Sequence, residues 1–293
     1  MLVEVLSVVT PVFLIAAVGY VWVRREQPFD SDTISALVMY VGSPCLIYAS
    51  LISNAPELAV LAQVAGAALL VLISCTLTGA LILKILKWPI PAFLPAIAQP
   101  NGGNMGLPVA MLAFGETGLA LGMAYFFVLS VSQYTMGLTI SSGQFQFRYL
   151  VRQPVIWAVL LVLGVLAYDI EMPRWFDATA SILGGLTIPA MLLMLGTSLA
   201  RLNITDMGQT LTVALLRLTL GLVFGLAAIA LFELEGAIAG VVLLQSTMPA
   251  AVFNFVFAQR YNREPDKVAA VILQSTLMSV LTLPLVVAWA MTF

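Results

Sequence analysis

Two asparagines, Asn101 and Asn104, stand inside an otherwise apolar segment of the chain. The segment reads Gln99-Pro100-Asn101-Gly102-Gly103-Asn104-Met105-Gly106-Leu107-Pro108. A side-chain amide can donate hydrogen bonds to a carboxylate, and its oxygen can accept one or contact a cation. These two amides therefore predict a binding site for a small charged substrate.

Prolines and glycines interrupt the helix that the apolar residues would otherwise form. Pro100 and Pro108 lack the backbone donor, and Gly102 and Gly103 are poor helix formers. Unpaired backbone groups in hydrocarbon each cost several kcal/mol, so irregular backbone is tolerated there only inside protein or beside a water-filled cavity. The segment is thus predicted to be a broken helix at a substrate site.

A second polar break lies about half a chain further on, around Pro249. Gln245, Ser246 and Thr247 precede this proline, and Asn254 follows it. If the two breaks meet, the N-terminal ends of the half-helices present free N–H groups, which attract anions. We expect both breaks to contribute to one anion site. The alternative is that prolines and glycines merely kink two helices for packing.

The composition of the chain is that of an integral membrane protein. Of its 293 residues, 61% are hydrophobic and 9% are charged, whereas soluble domains carry about 25% charged residues. Histidine is absent, and Cys45 and Cys75 lie in apolar segments without metal-ligand spacing, so we expect neither a metal nor a cofactor. The net charge of −2 does not indicate binding to nucleic acid, which is typical of basic proteins. Intramembrane catalysis would need histidine or intramembrane carboxylates, so an enzyme is not expected.

Ten segments meet the requirement of about 20 apolar residues for a membrane span. They are residues 3–23, 33–53, 58–83, 92–114, 117–139, 154–170, 178–199, 208–231, 236–258 and 268–291. Ten of the 12 Lys and Arg residues then fall on one side of the membrane. Because basic loops stay in the cytoplasm, both termini are predicted to lie on the non-cytoplasmic side.

The two halves of the chain, residues 1–146 and 147–293, show a weak internal repeat. Three pairs of residues correspond, Pro11 with Pro154, Pro44 with Pro189 and Gln99 with Gln245, at separations of 143, 145 and 146 positions. Each half holds five spans, an odd number, so the second copy is predicted to be inverted. Broken spans 4 and 9 then cross. Inverted repeats with interrupted helices indicate a secondary transporter.

Three further polar residues lie inside predicted spans. Arg217 is about 14 Å from the end of span 8, at 1.5 Å per residue, and is predicted to meet either a substrate carboxylate or the carbonyls of a helix end. If the boundary of span 8 is wrong, Arg217 lies near the interface instead. Gln133 and Gln274 are predicted to contact an ion such as sodium or to form interhelical hydrogen bonds.

The two breaks also resemble the crossover motifs of the auxin efflux carrier family, which includes plant PIN proteins and bacterial malonate and malate permeases. The motifs are Pro100-Asn101-x-x-x-Met105-Gly106-x-Pro108 and Pro249-x-x-x-x-x-Phe255-Val256-Phe257-Ala258-x-x-Tyr261-Asn262-x-x-Pro265-Asp266. By this resemblance, Asn101 takes the place of the asparagine that contacts the substrate carboxylate, and Pro100 and Pro249 are the crossover prolines. Asn254 stands where the plant pattern has a proline. A long loop after span 5 is missing, which suggests a short carrier of the bacterial inner membrane.

The resemblance implies a ten-span, all-α fold of two inverted five-span repeats, similar to the bile-acid sodium symporters. Spans 1, 2, 6 and 7 would form a scaffold part, and spans 3–5 and 8–10 a transport part. Members of the family bind organic anions at the crossover, move them by an elevator-like displacement and dimerise through the scaffold. We therefore expect a homodimeric carrier of mono- or dicarboxylates in the lipid bilayer, with sodium or proton coupling left open. The alternative is a ligand-binding membrane sensor on a transporter fold, without net transport.

Overall fold

The computed structural model describes residues 2–54, 56–145, 147–168, 170–202 and 207–293, and within them the regular structure is helical. Gln146, the last residue of the first predicted repeat, and Asp169, in predicted span 6, lie outside the described residues. The helices are α1 (Leu2–Arg24), α2 (Ser31–Leu37), α3 (Ser43–Asn54), α4 (Leu58–Leu86), α5 (Ile90–Ala98), α6 (Leu107–Ser132), α7 (Leu138–Ser142), α8 (Phe147–Val151), α9 (Pro154–Ala167), α10 (Arg174–Gly185), α11 (Thr187–Arg201), α12 (Met207–Leu231), α13 (Gly236–Thr247), α14 (Phe253–Arg260) and α15 (Pro265–Ala290). The predicted all-α class is confirmed for this part of the chain.

Seven helical segments of the described residues are long and apolar enough to cross a membrane. They are Leu2–Arg24, Ser31–Ile52, Leu58–Leu86, Gly102–Ser142, Arg174–Arg201, Met207–Leu231 and Pro265–Ala290. Two shorter apolar helices, Pro154–Leu166 and Gly236–Thr247, accompany them. The chain is thus a multi-pass membrane protein, as predicted, while the count of ten spans and the inverted repeat stay predictions.

Several helices contain interruptions. The segment Gly102–Ser142 changes direction at Gly115, whose φ of 65° and ψ of −153° are not helical, and this residue lies between predicted spans 4 and 5. Predicted span 7 is divided into α10 and α11 at Leu186. Wider π-helical turns at Val38–Gly42 and Gln133–Gly137 interrupt helices that the sequence predicts to be continuous.

The outer and inner surfaces of the helices differ in polarity. Leu77 of α4 and Leu281 of α15 are 67% and 78% exposed, as expected for side chains that face lipid. Buried polar side chains lie in the interior instead, among them Arg217 of α12, Gln245 of α13 and Ser275 of α15, three helices that pack against one another. Polar groups inside a membrane protein mark functional regions, and this interior region contains the two breaks.

Helices α1 and α11 are in backbone contact along much of their length. Two glycines make this approach possible. A methyl group on Gly19 would overlap the Leu193 carbonyl, and one on Gly196 would overlap the Ala16 carbonyl and the Tyr20 nitrogen. Small residues at such contacts allow close packing of membrane helices.

We predict that Gly196→Ala destabilises the protein by about 1–3 kcal/mol, the usual cost of overpacking. Gly185→Ala is the matched control, because a methyl group at that helical position meets no atom within 4 Å. Thermal unfolding of the purified variants in detergent measures the difference. Equal melting temperatures for the two variants would contradict the packing role of Gly196.

Candidate functional site

The two breaks lie side by side and form an antiparallel backbone pair. The Asn101 N–H donates to the Pro249 carbonyl at 2.7 Å, and the Ala251 N–H donates to the Gln99 carbonyl at 3.0 Å. Between these bonds Pro100 and Ala250 face each other in an isolated antiparallel bridge. Each break therefore satisfies the backbone groups that the other leaves open, as a hydrocarbon environment requires.

A side chain from a third element completes this backbone pair. The Ala250 N–H donates to the Ser275 hydroxyl of α15 at 3.1 Å, and that hydroxyl donates to the Ile272 carbonyl at 3.1 Å. Ser275 is fully buried. Helix α15 thus fixes the position of the second break through one hydrogen bond.

Beyond the first break the chain resumes as a π-helical turn, Gly102–Gly106, and then as α6. The Gly106 N–H donates to the Asn101 carbonyl at 3.0 Å, five residues earlier, which widens the turn. Pro108 contributes to this irregularity because it has no N–H for an α-helical bond. The predicted role of these residues in interrupting the helix agrees with the structure.

Glycines of the first break make room for an amide of the second. A methyl group on Gly102 or Gly106 would overlap the Gln245 side-chain oxygen, and one on Gly122 would lie 3.2 Å from its nitrogen. Gln245 is fully buried. Glycines therefore let the α13 amide reach the backbone of the opposite break, while Gly103 lies against the Phe126 ring.

Several buried amide atoms at the crossover have no hydrogen-bond partner among the described residues. They are Asn101 Nδ2, both polar atoms of Gln245, Gln99 Oε1 and Asn254 Oδ1. Asn101 and Gln245 are only 4% and 0% exposed, so water outside the protein does not satisfy them. Buried amides without partners are rare and call for an explanation, such as a bound ligand or water.

Arg217 contacts the C-terminal ends of α5 and α13, the two half-helices that lead into the crossover. Its Nη1 donates to the Ile97 and Ala98 carbonyls at 2.6 and 3.2 Å, and its Nη2 donates to the Ser246 carbonyl at 2.6 Å. The side chain is fully buried, and no ion pair of the described residues includes it. Of the two predicted contacts, the structure shows the helix-end carbonyls.

The remaining predicted site residues differ in their burial and in their hydrogen bonds. The Ser246 and Thr247 hydroxyls donate to the Leu243 carbonyl of their own helix, and Asn104 is partly exposed. The Asn254 Nδ2 reaches the Gln99 carbonyl at 3.5 Å, the long limit of a hydrogen bond. Gln133 Nε2 and both polar atoms of Gln274 are buried without a partner among the described residues.

Some residues of the site were not predicted from the sequence. Gln99 Nε2 donates to the Ser132 hydroxyl at 2.8 Å, and Ser275 holds Ala250. Gln99 carried a signal, since it matches Gln245 in the internal repeat. Nothing in the sequence marks Ser132 or Ser275, because a buried serine that bonds only to its own helix would have similar neighbours in the sequence.

We predict that Ser275→Ala destabilises the protein by about 1–3 kcal/mol, because the buried Ala250 N–H loses its acceptor. Ser279→Ala is the control on the same helix, since its buried hydroxyl donates only to the Thr276 carbonyl. Thermal unfolding in detergent compares the two. A Ser275→Ala variant as stable as Ser279→Ala would show that this hydrogen bond contributes nothing.

Comparison with known proteins agrees with this architecture. Residues 4–146 and 138–287 match a family described as membrane transport protein. The chain is also 28% identical, over 96% of its own length and 95% of the relative's, to a protein of Methanothermobacter thermautotrophicus described as an uncharacterized transporter. The chain therefore belongs to the membrane transport protein family, which is the auxin efflux carrier family predicted from the crossover motifs.

Proposed function

We propose that this membrane transporter is a secondary carrier of small organic anions, such as mono- or dicarboxylates, and that it binds them at the crossover. The observation that supports this proposal is the pair of donors among the buried amide atoms without partners. The three oxygens of that group, on Gln99, Gln245 and Asn254, require a donor such as water instead. Asn101 Nδ2 and Gln245 Nε2 are both donors, and a buried donor left unsatisfied costs about 1–3 kcal/mol. A carboxylate oxygen accepts hydrogen bonds from such donors and removes that cost.

The backbone around these amides also suits an anion. The π-helical turn begins after Asn101 and α14 begins after Val252, and neither beginning has a side-chain cap. The positive ends of two helical segments therefore remain available to a negative charge. Gly102 and Gly103 are packed against Gln245 and Phe126, so in this proposal their contribution to the anion is the backbone N–H, with no side chain of their own to shield it.

The other predicted ligands have secondary places in this proposal. Asn104 and Asn254 flank the two N-terminal ends and extend the binding set. Ser246 and Thr247 would first have to turn their hydroxyls away from the Leu243 carbonyl. Arg217 stands apart from these residues, because Nη1 and Nη2 already donate to helix-end carbonyls. Its Nε is buried without a partner among the described residues, so any contact with the substrate would be made through that atom.

Burial of the amides requires a conformational change before an anion can reach them. An elevator-like displacement of a transport part against a scaffold part would open the site to one side and then the other. The close contact of α1 with α11, and of α3 with α9, supports a scaffold formed by predicted spans 1, 2, 6 and 7. We propose that two scaffolds join to form the homodimer.

Helix contacts support the inverted repeat. Under the proposed repeat, α4 and α5 of the first half correspond to α12 and α13 of the second. The pairs α4 with α5 and α12 with α13 are both in contact, and so are the exchanged pairs α5 with α12 and α4 with α13. Such reciprocity is expected of ten spans in two inverted copies. We propose that both termini lie on the non-cytoplasmic side of a bacterial inner membrane.

Flux measurements on the reconstituted protein test the proposed function. Proteoliposomes would be assayed for uptake of labelled malonate, malate and indole-3-acetate, with and without a sodium gradient and a pH gradient. Uptake of any of these carboxylates above empty liposomes supports a carrier, and its dependence on either gradient identifies the coupling ion. Binding of a carboxylate without flux would favour the sensor.

We predict that Asn101→Ala weakens the affinity for the transported anion by about 10–100-fold, because a hydrogen bond to a charged group contributes about 1.5–3 kcal/mol. Gln63→Ala removes an amide from the exposed face of α4 and should leave affinity unchanged. Concentration-dependent uptake by each variant measures the effect. An unchanged half-saturating concentration for Asn101→Ala would place the anion elsewhere.

A further inference from the structure

The guanidinium of Arg217 connects the C-terminal ends of two separate half-helices. Ile97 and Ala98 are the last residues of α5, and Ser246 is the penultimate residue of α13. Their carbonyls accept its hydrogen bonds at 2.6, 3.2 and 2.6 Å. These carbonyls would otherwise be unpaired, because a helix leaves its last four acceptors without intrahelical donors.

The charges at this point also match. Each helix end carries about −0.5 of an elementary charge, so two ends together offset about one positive charge. Arginine keeps its charge inside proteins, and an isolated buried charge is costly. Within the described residues no carboxylate pairs with Arg217. The two helix ends therefore act as its counter-charge.

Helix α12 has a surface that fits this arrangement. Gly221 and Gly225 follow Arg217 at intervals of four residues, on the same face of the helix. A methyl group on Gly221 would overlap Arg217 Nη2 and the Ser246 carbonyl, and one on Gly225 would overlap the Ser246 hydroxyl. The glycines thus make space for the guanidinium and for the end of α13.

We propose that Arg217 is a built-in counter-ion for the ends of α5 and α13, and that its guanidinium occupies a cation site formed by their carbonyls. The arginine holds both half-helices to α12 just before their chains enter the crossover. When the side chain is removed, the site accepts a free guanidinium ion. This role goes beyond the proposed anion transport and does not depend on it.

Chemical rescue tests the cation site. Purified Arg217→Ala would be unfolded thermally in about 10–50 mM guanidinium chloride, far below denaturing concentrations, and in choline chloride at the same concentration. We expect guanidinium to raise its melting temperature by at least about 2 °C relative to choline, because binding to the folded state stabilises it. The assay contains no substrate, so its failure would leave the transport proposal unaffected.

Arg263→Ala is the matched control. Its Nε donates to the Ser141 carbonyl at 2.9 Å near the end of α7, but the residue is only partly buried, so water replaces the lost donor. Guanidinium should not stabilise this variant or the unaltered protein. Absence of a guanidinium-specific rise in Arg217→Ala, or an equal rise in Arg263→Ala, would overturn the proposal.

If Arg217→Ala does not fold, two substitutions by longer side chains test whether a cation is needed at this position. Arg217→Lys and Arg217→Met have side chains of similar length, and only lysine carries a charge. We expect the lysine variant to melt at a higher temperature than the methionine variant, because it still supplies a cation to the carbonyls. A methionine variant that is as stable as the lysine variant, or more stable, would show that no cation is needed there.

Discussion

The hydrogen bonds between the two breaks are the constraint on which the structure depends. A helix that stops inside a membrane exposes carbonyls and N–H groups to a medium without water, and each unpaired group is costly. Here the Asn101 N–H and the Gln99 carbonyl find partners in Pro249 and Ala251. Neither break can be stable alone at this depth. Arg217 of α12 and Ser275 of α15 add side-chain hydrogen bonds to the backbone on either side of the pair.

The two kinds of helix end at the crossover are compensated differently. The C-terminal ends of α5 and α13 share one fixed cation, Arg217, through three hydrogen bonds. The N-terminal ends that begin after Asn101 and Val252 have no side-chain cap. At the C-terminal ends, where a cation would bind, the chain therefore supplies its own positive charge. At the N-terminal ends, where an anion would bind, it supplies no side-chain cap. This asymmetry supports an anion as substrate, independently of the amides.

The sequence predicts the breaks well because they depend on local chemistry. Pro100, Gly102 and Pro249 disfavour helix wherever they stand, and the repeat relates Gln99 to Gln245. Other features depend on tertiary contacts that leave no local signal. The sequence predicts that Arg217 meets either a substrate carboxylate or helix-end carbonyls, but it does not indicate which carbonyls, because every residue has one. The π-helical turns at Val38–Gly42 and Gln133–Gly137 likewise occur in sequences that suit continuous helices.

At the crossover, the paired backbone groups have hydrogen-bond partners, whereas several side-chain amides have none among the described residues. The backbone pair and the bond from Ala250 to Ser275 are made entirely between groups of the protein, so the backbone of the crossover needs no outside partner at these points. Among the described residues, the polar atoms of Gln245 and the side-chain nitrogen of Asn101 lack partners, and each buried polar group left in this way costs about 1–3 kcal/mol. Under the proposed function, a carboxylate bound at the crossover would accept hydrogen bonds from these donors and remove part of this cost. In the proposed carrier, the two paired breaks would therefore move together as one unit.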